Sequence, residues 1–590
     1  MQLTAVDWLI LALFLAFSLV VGLRVARTAA TDFSSFFLAG RRQPWWLLGV
    51  SMVATTFSTD TPNLVTDIVR RHGVLGNWTW WAFLLSGMLT VFLYAKLWRR
   101  SGVATDVEFY ELRYSGRLAA FLRVFRGVYL GLVFNVLIMA AVTLAAIKIG
   151  SVMFAWSPLQ TVVVAASVTL AYSALGGLQG VLLTDLVQFG MSIVGSLAAT
   201  VYIVRLPEVG GLGNLLASEA VRQRSAFWPS LETMSLTDLA PVFLVPLLVQ
   251  WWAAYYPGSE PGGGGYLVQR MLSAKDESHA LGATMLFNLL HYGLRPWPWI
   301  IVALASLVVF PDLASIQQRF PHVSAGVVRD DLAYPAMLTF LPPGLLGLVV
   351  TSLAAAYMST MSTSVNWGSS ILVGDVYRRF LHRSASERQL VWAGRWSTVL
   401  LMVLACAVSL TIESALEMFQ ILLQIGAGTG LLYLLRWFWW RINAATELAA
   451  MLASFVVALA LPAVGPGLAA WQQLVIGVGL TTACWLPLAY LAPPSDEATL
   501  VSFYRKIRPA GPGWTHVARL AGSDASDDRD RGLLAPLLAS LLGSAGIYAL
   551  LFATGYLLYG EAARAVVAAV VAALSGFGLA RIWRRGAKRL

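Results

Sequence analysis

Along most of this chain the apolar residues do not alternate with polar ones. They run almost unbroken for about 20 positions, stop at a short cluster of polar, Gly or Pro residues, and resume. An α-helix rises 1.5 Å per residue, so about 20 apolar residues are what it takes to cross a bilayer's hydrocarbon. About fifteen such stretches can be placed, beginning near residues 6, 44, 74, 118, 157, 179, 237, 279, 333, 388, 413, 443, 466, 532 and 560. The pattern predicts an all-α polytopic membrane protein. Only two long polar connections are expected, 206–236 and 493–531, and neither has the length of a catalytic domain.

Composition agrees: 58% of the chain is hydrophobic, 12% is charged and the mean hydropathy is +0.70. A soluble chain is about a quarter charged. A net charge of +11 would suggest nucleic acid in a soluble protein, but here the basic residues form short clusters between apolar spans. Threading the spans alternately gathers most of them on one side, among them Arg99 and Arg100, Arg378 and Arg379, Arg505 and Lys506, and Arg584 and Arg585. Basic residues mark the cytoplasmic side, which predicts an N-out/C-in chain in the cell membrane. The expected partners are the lipid bilayer and a small-molecule substrate, with no nucleic acid and no obligate protein partner indicated. Cys406 and Cys484 both lie in apolar stretches, which excludes a disulfide framework. The first span has no basic residue before it and no small-residue cleavage site, so it reads as retained. Arg295 reads as the lone cation inside a span.

Two spans contain runs that a lipid-facing helix would not tolerate. The second begins at Pro44-Trp45-Trp46, stays apolar to Ala54, then reads Thr55, Thr56, Phe57, Ser58, Thr59, Asp60, Thr61, Pro62. Five spans later come Gln250-Trp251-Trp252, Tyr255-Tyr256-Pro257-Gly258, Glu260-Pro261 and four glycines, Gly262 to Gly265. Pro removes a helix hydrogen bond, Gly weakens the helix, and polar backbone at membrane depth must line a cavity or pack in protein. Interrupted spans at matching positions point to inverted repeats with a site near the midplane, here 44–205 and 237–441; two ordinary Pro kinks are the alternative. Around them the reading places a peripheral helix and cytoplasmic loop at 1–43, an extracytoplasmic loop at 206–236, and two peripheral helices at 442–492. A cytoplasmic linker at 493–531 and two C-terminal helices with a basic tail at 532–590 complete the chain. In the ninth span Ser359, Ser362 and Thr363 share one helix face by their spacing. Hydroxyls and freed carbonyls are the neutral oxygen donors a sodium ion takes, although such a face also serves as packing between helices.

Four segments in order carry a family resemblance: Phe36-Phe37-Leu38-Ala39-Gly40-Arg41; Gly176-Gly177-Leu178 through Thr184-Asp185-Leu186-Val187-Gln188; Gln269-Arg270-Met271 with Ala274-Lys275; and Ala354 to Tyr377. With them the chain resembles the sodium:solute symporter family, solute carrier 5-like, over residues 1 to roughly 490. The resemblance implies a leucine-transporter-like fold of ten core helices, one helix before them and about four after. It implies Na+ as coupling ion and no organic cofactor. One sodium site would use the carbonyls of Ala54, Phe57 and Ala356 with the hydroxyls of Ser359 and Thr360. A second, present in some members, would use Asp185, Ser359, Ser362 and Thr363.

For the substrate, Asp60 and Arg295 fall at similar depth, roughly 22 to 25 Å from the start of their spans. Opposite charges there can bracket a zwitterion or a hydroxylated carboxylate, or can form a structural pair. Trp80, Trp81, Trp251, Trp252 and Tyr255 are candidates for stacking on a ring, and Thr56, Thr61 and Gln424 complete the candidate substrate set. The expectation is a sodium-coupled symporter importing an amino acid-like or carboxylate solute by alternating access; a sugar or polyol symporter is the alternative. An embedded enzyme or a solute sensor is the reading from another class. Against the enzyme, the six histidines are dispersed with no HExxH. The Gly426, Gly428, Gly430 run lies in an apolar span with no strand before it. Against the sensor, no soluble signalling domain is expected after the last span.

Overall fold

The computed structural model describes residues 3–29, 32–230, 232, 234–253, 260–412, 415–522 and 532–587. Among these no strand occurs beyond one isolated bridge, Gln43 with Ala274. Twelve helices are long and apolar enough to cross a membrane, accompanied by three shorter apolar ones, Trp45–Thr56, Pro158–Ala171 and Leu236–Leu248. In chain order the main helices are α1 (Ala5–Ala29), α2 (Trp45–Thr56), α3 (Asp60–His72), α4 (Val74–Ser101), α5 (Gly116–Phe154) and α6 (Pro158–Val204). They continue with α7 (Leu236–Leu248), α8 (Gly265–Ser273), α9 (Glu277–Val309), α10 (Leu345–Leu381), α11 (Glu387–Ser409) and α12 (Ala415–Leu435). Last come α13 (Ala444–Val464), α14 (Ala470–Leu491), α15 (Glu497–Ile507), α16 (Leu534–Leu558) and α17 (Ala562–Ala587).

Both expected interruptions are present. α2 stops where Phe57 leaves helical geometry (φ −84°, ψ 59°), and the helix restarts at Asp60 as α3. α7 gives way to a single turn at Gln250–Trp252; Gly262 and Gly263 then take φ of +88° and +94°, values open to glycine, before α8 begins. The spans expected from 157 and 179 are two helices joined end to end within α6 at Gly177, whose backbone (φ +52°, ψ −159°) is not helical. A β-carbon there would sit 2.6 Å from the Phe36 carbonyl, so the bend also lets α6 approach the segment before α2.

One expectation needs correction. The span placed from residue 333 is instead a short helix, Ala333–Leu338, followed by Pro342, Pro343 and Gly344 (φ +85°), and α10 starts at Leu345. Two prolines without N–H groups and a glycine in left-handed geometry end the first helix before it can cross. Residues 310–344 are therefore a third long connection. Its apolar side chains, including Ile316, Phe320 and Leu332, are buried against the protein core.

The segment after α14, expected as a linker, carries a helix docked on the core. α15 buries Leu500, Phe503, Tyr504 and Ile507 beside Trp98 and Trp437, and Trp514 Nε1 donates to the Trp437 carbonyl at 2.8 Å. α16 lies against α4 and α9. Ser540 Oγ donates to the Met88 carbonyl (3.1 Å), Tyr548 OH to the Trp81 carbonyl (2.8 Å) and Trp297 Nε1 to the Leu551 carbonyl (2.8 Å). α17 leaves Val566, Val567, Leu574 and Phe577 exposed, as a bilayer-facing helix does.

The Gly426, Gly428, Gly430 run permits close packing. A β-carbon on Gly428 would lie 2.5 Å from Ser454 Oγ, and one on Gly430 would run into the Trp252 carbonyl oxygen. Backbone cannot yield as a flexible side chain can, so Gly430→Ala should destabilise the protein by about 1–3 kcal/mol. Gly180→Ala, where nothing lies within 4 Å of the added carbon, serves as control. Thermal unfolding in detergent checks this: equal midpoints for the two variants would refute the close approach.

Candidate functional site

α2, α6, α8 and α10 meet around one carboxylate. Asp185, on α6, is fully buried; Ser51 Oγ donates to its Oδ2 at 2.5 Å and Ser359 Oγ to its Oδ1 at 2.6 Å. A buried charge is costly without partners. Arg270, on α8 and equally buried, supplies the opposite charge 3.9 Å from Oδ2. Its guanidinium donates to Ser51 Oγ (3.2 Å), to Thr363 Oγ1 (2.7 Å) and to Gln269 Oε1 (3.0 Å). Gln269 Nε2 in turn donates to Asn366 Oδ1 at 2.9 Å. Asp185 is thus a central group of the core, not a carboxylate bonded to a helix end at the interface.

Next to this cluster Thr360 Oγ1 donates to the Thr55 carbonyl at 2.7 Å and to the Ala356 carbonyl at 3.1 Å, tying α10 to the end of α2. The Phe57 N–H reaches back to the Val53 and Ala54 carbonyls at 2.9 and 3.1 Å. The end of a helix leaves its last carbonyls short of partners. Ala54, Phe57, Ala356, Ser359 and Thr360 are all buried, and each carries a neutral oxygen atom of the set expected from the sequence. Of the second set, Ser359 is bonded to Asp185 and Thr363 is linked to it through Arg270, with Thr363 Oγ1 also 3.1 Å from Thr55 Oγ1. Ser362 Oγ turns back onto the Ser359 carbonyl at 3.1 Å.

Sequence reasoning missed Ser51 and Arg270. The signal was present in Gln269-Arg270-Met271, but a charge just after a glycine-rich break reads as part of a loop, not of the core. The expectation that Arg295 stands alone inside a span is likewise corrected: Arg126 and Lys148 are buried within α5.

A separate cavity takes in half of the substrate candidates. Thr56, Asp60, Thr61, Trp80 and Arg295 line it, with Ser58, His291, Met418, Phe419 and several aliphatic side chains. Thr56 Oγ1 is its pivot, 3.0 Å from His291 Nδ1 and accepting from Arg295 Nη1 at 3.1 Å. Arg295 also lies over the Trp299 ring, 4.9 Å from its centroid. His291 is a functional candidate the sequence did not single out. Trp81 lies outside this lining and packs against Trp78 and Phe552. Trp251 and Trp252 pair edge to face, with Trp252 held against Gly430. Gln424 Nε2 donates to Gln473 Oε1 at 3.2 Å, on the side of α14. Tyr255 lies outside the described residues.

Ion pairs lie outside this lining. Arg70 pairs with Asp330 (2.8 Å) and Lys148 with Asp331 (2.6 Å). Glu260, beside another pocket, receives both Arg126 and Arg436, the latter at 2.8 Å. Hydroxyls, a carboxylate, a guanidinium, an imidazole and an indole around one space can hold a small polar solute through both donors and acceptors.

The model of the sodium:solute symporter family matches residues 36–454. The sodium/glucose cotransporter of Vibrio parahaemolyticus is 25% identical over 475 residues, 78% of this chain and 85% of its own length. The sodium/myo-inositol cotransporter of Homo sapiens is 26% identical over 489 residues, 76% of this chain and 66% of its own. Among solved structures, the substrate-bound outward-open state of a Na+-coupled sialic acid symporter aligns with a TM-score of 0.66 at 20% identity. It covers 84% of this chain and 99% of that one, a likeness of fold.

Proposed function

This chain belongs to the sodium:solute symporter family, and from that premise we propose that it imports a hydroxyl-rich solute, a sugar or polyol, with sodium. It is a multi-pass membrane symporter with sodium as its coupling ion. The relatives named for glucose and myo-inositol favour the hydroxylated class over the amino acid-like or carboxylate solute expected from the paired charges. The cavity of Thr56, Asp60, Thr61, Trp80, His291 and Arg295 carries the reading. A polyol hydroxyl can donate to Asp60 and accept from Arg295 at once, and the face of a sugar ring can stack on Trp80. The buried guanidinium of Arg295 keeps an acidic sugar as the second reading.

In the proposed cycle sodium binds at Ala54, Phe57, Ala356, Ser359 and Thr360, and a further ion at Asp185, Ser359 and Thr363. The first site joins α2 to α10 and holds the break beside Thr56 in the shape that completes the cavity. Loss of sodium to the cytoplasm loosens that junction. We assign the two broken helices to inverted repeats at 44–205 and 237–441. With the three shorter apolar helices counted, the chain crosses fifteen times, N-out and C-in, which puts its basic clusters inside.

Uptake into proteoliposomes under an inward sodium gradient tests this, with sugars, polyols, carboxylates and amino acids as the panel. Sugars or polyols should accumulate only with sodium; accumulation confined to amino acids or simple carboxylates overturns the proposed class. Arg295→Lys should weaken apparent substrate affinity about tenfold while leaving the sodium dependence in place, since a point charge does not reproduce the guanidinium fork. An unchanged affinity removes Arg295 from the substrate site.

A further inference from the structure

Along α3, just beyond the substrate cavity, a second and smaller cavity is lined by Asp60, Asn63, Asp67, Lys148, Asp331 and aliphatic side chains. Asp60 and Leu64 belong to both cavities, so the two are neighbours that share a wall. Asp60, Asn63 and Asp67 recur at three and four residues and therefore share one face of α3. Lys148 comes from α5 and Asp331 from the connection that precedes α10.

Protein groups do not use up the polar atoms of this lining. Asn63 is 3% exposed, and neither its amide oxygen nor its amide nitrogen has a hydrogen-bond partner among the described residues. Asp331 accepts from Lys148 through Oδ2 at 2.6 Å, while its Oδ1 has no such partner; nor has Asp60 Oδ1. Buried polar atoms left unmatched cost about 1–3 kcal/mol each, and burial of several together around one space points to an occupant that engages them.

Charge decides what that occupant is. Three carboxylates face one ammonium in the lining. Arg71 pairs with Asp67 from outside at 2.6 Å, Lys148 pairs with Asp331, and Asp60 meets a cation, Arg295, only through the substrate cavity. An anion or an apolar solute is thereby disfavoured. Carboxylate and amide oxygens are hard donors that suit a group 1 or group 2 cation. With Asp67 and Asp331 already paired, and no cluster of three acidic or histidine side chains close enough to hold a metal ion among the described residues, a singly charged ion is favoured.

We infer that this cavity is a sodium-binding station on the outer side of the substrate cavity, in which Asp60 Oδ1, Asn63 Oδ1 and Asp331 Oδ1 hold an ion on its way inward. The choice of sodium over another monovalent cation rests on the symporter reading above. The station is distinct from the sites at Thr360 and Asp185, sharing no residue with either. Because Asp60 faces both cavities, an ion held here also neutralises the carboxylate before the solute meets it.

Equilibrium binding of 22Na+ to the purified full chain in lipid nanodiscs tests the station with the ion alone. Asn63→Leu keeps the branched shape of the side chain and removes both polar atoms, and it should bind one sodium fewer than wild type at saturation. Asn63→Asp adds a charge and should tighten the affinity of that ion at least threefold. A full count in Asn63→Leu overturns the inference. If that variant does not fold, an unchanged affinity in Asn63→Asp overturns it instead. Thr360→Ala separates the two levels of the argument, because it should lose a different ion. If Thr360→Ala loses its ion and Asn63→Leu loses none, the station fails and the symporter reading stands; if wild type binds no sodium, both fail.

Discussion

Thr360→Ala and Ser359→Ala should each lower apparent sodium affinity tenfold or more, about 1.4 kcal/mol, while the yield of folded protein changes little. The Thr360 hydroxyl is the group that ties α10 to the last turn of α2, through the Thr55 carbonyl at 2.7 Å and the Ala356 carbonyl at 3.1 Å. Removing it takes one oxygen from the proposed ion site and leaves the Thr55 carbonyl short of a partner. Ser359 sits one residue earlier and binds Asp185, so its loss should touch both proposed ions. Sodium-dependent uptake, titrated at fixed substrate, reads the effect. Wild-type sodium dependence in both variants sinks the assignment of the first site.

The largest effect on stability is expected at Asp185. Asp185→Asn leaves the Arg270 guanidinium buried with no carboxylate facing it, and breaking a buried pair from one side costs roughly 3–5 kcal/mol. Removing both charges should cost far less, because desolvation opposes the attraction within the pair. Asp185→Asn with Arg270→Gln should therefore unfold at a higher temperature than Asp185→Asn alone. The same double variant separates structure from ion binding. If a second sodium is bound at Asp185, the wild-type Hill coefficient for sodium exceeds one and falls close to one in the double variant, with the sodium-to-solute flux ratio falling in step. A single Asp185→Asn variant as stable as wild type would show that the pair is not what holds this junction.

The correct and incorrect expectations differ in which interactions decide them. The breaks at 55–61 and 250–265 could be read from the chain because Pro, Gly and hydroxyl residues act on their own backbone. The face of Ser359 and Thr363 could be read because helix spacing is local. The part of the 310–344 connection from residue 333 onward could not. Its apolar residues have the composition of a span, and only the two prolines, Gly344 and the core beneath show that they cover protein.

The sequence by itself determined that this chain is a membrane protein of apolar helices, which two interrupt themselves, and which residues could offer oxygen atoms to an ion. Those properties follow from solvent and from neighbours along the chain. Tertiary structure alone decided which of the polar residues meet. It brought Arg270 to Asp185 from segments far apart in the chain, put His291 beside Thr56, placed Asp60 and Arg295 in one cavity, and turned Gln424 away toward Gln473. Buried charges and hydroxyls find their partners across helices, where the cost of an unpaired polar group in a dry interior selects the arrangement. Spacing along one helix carries no information about that choice.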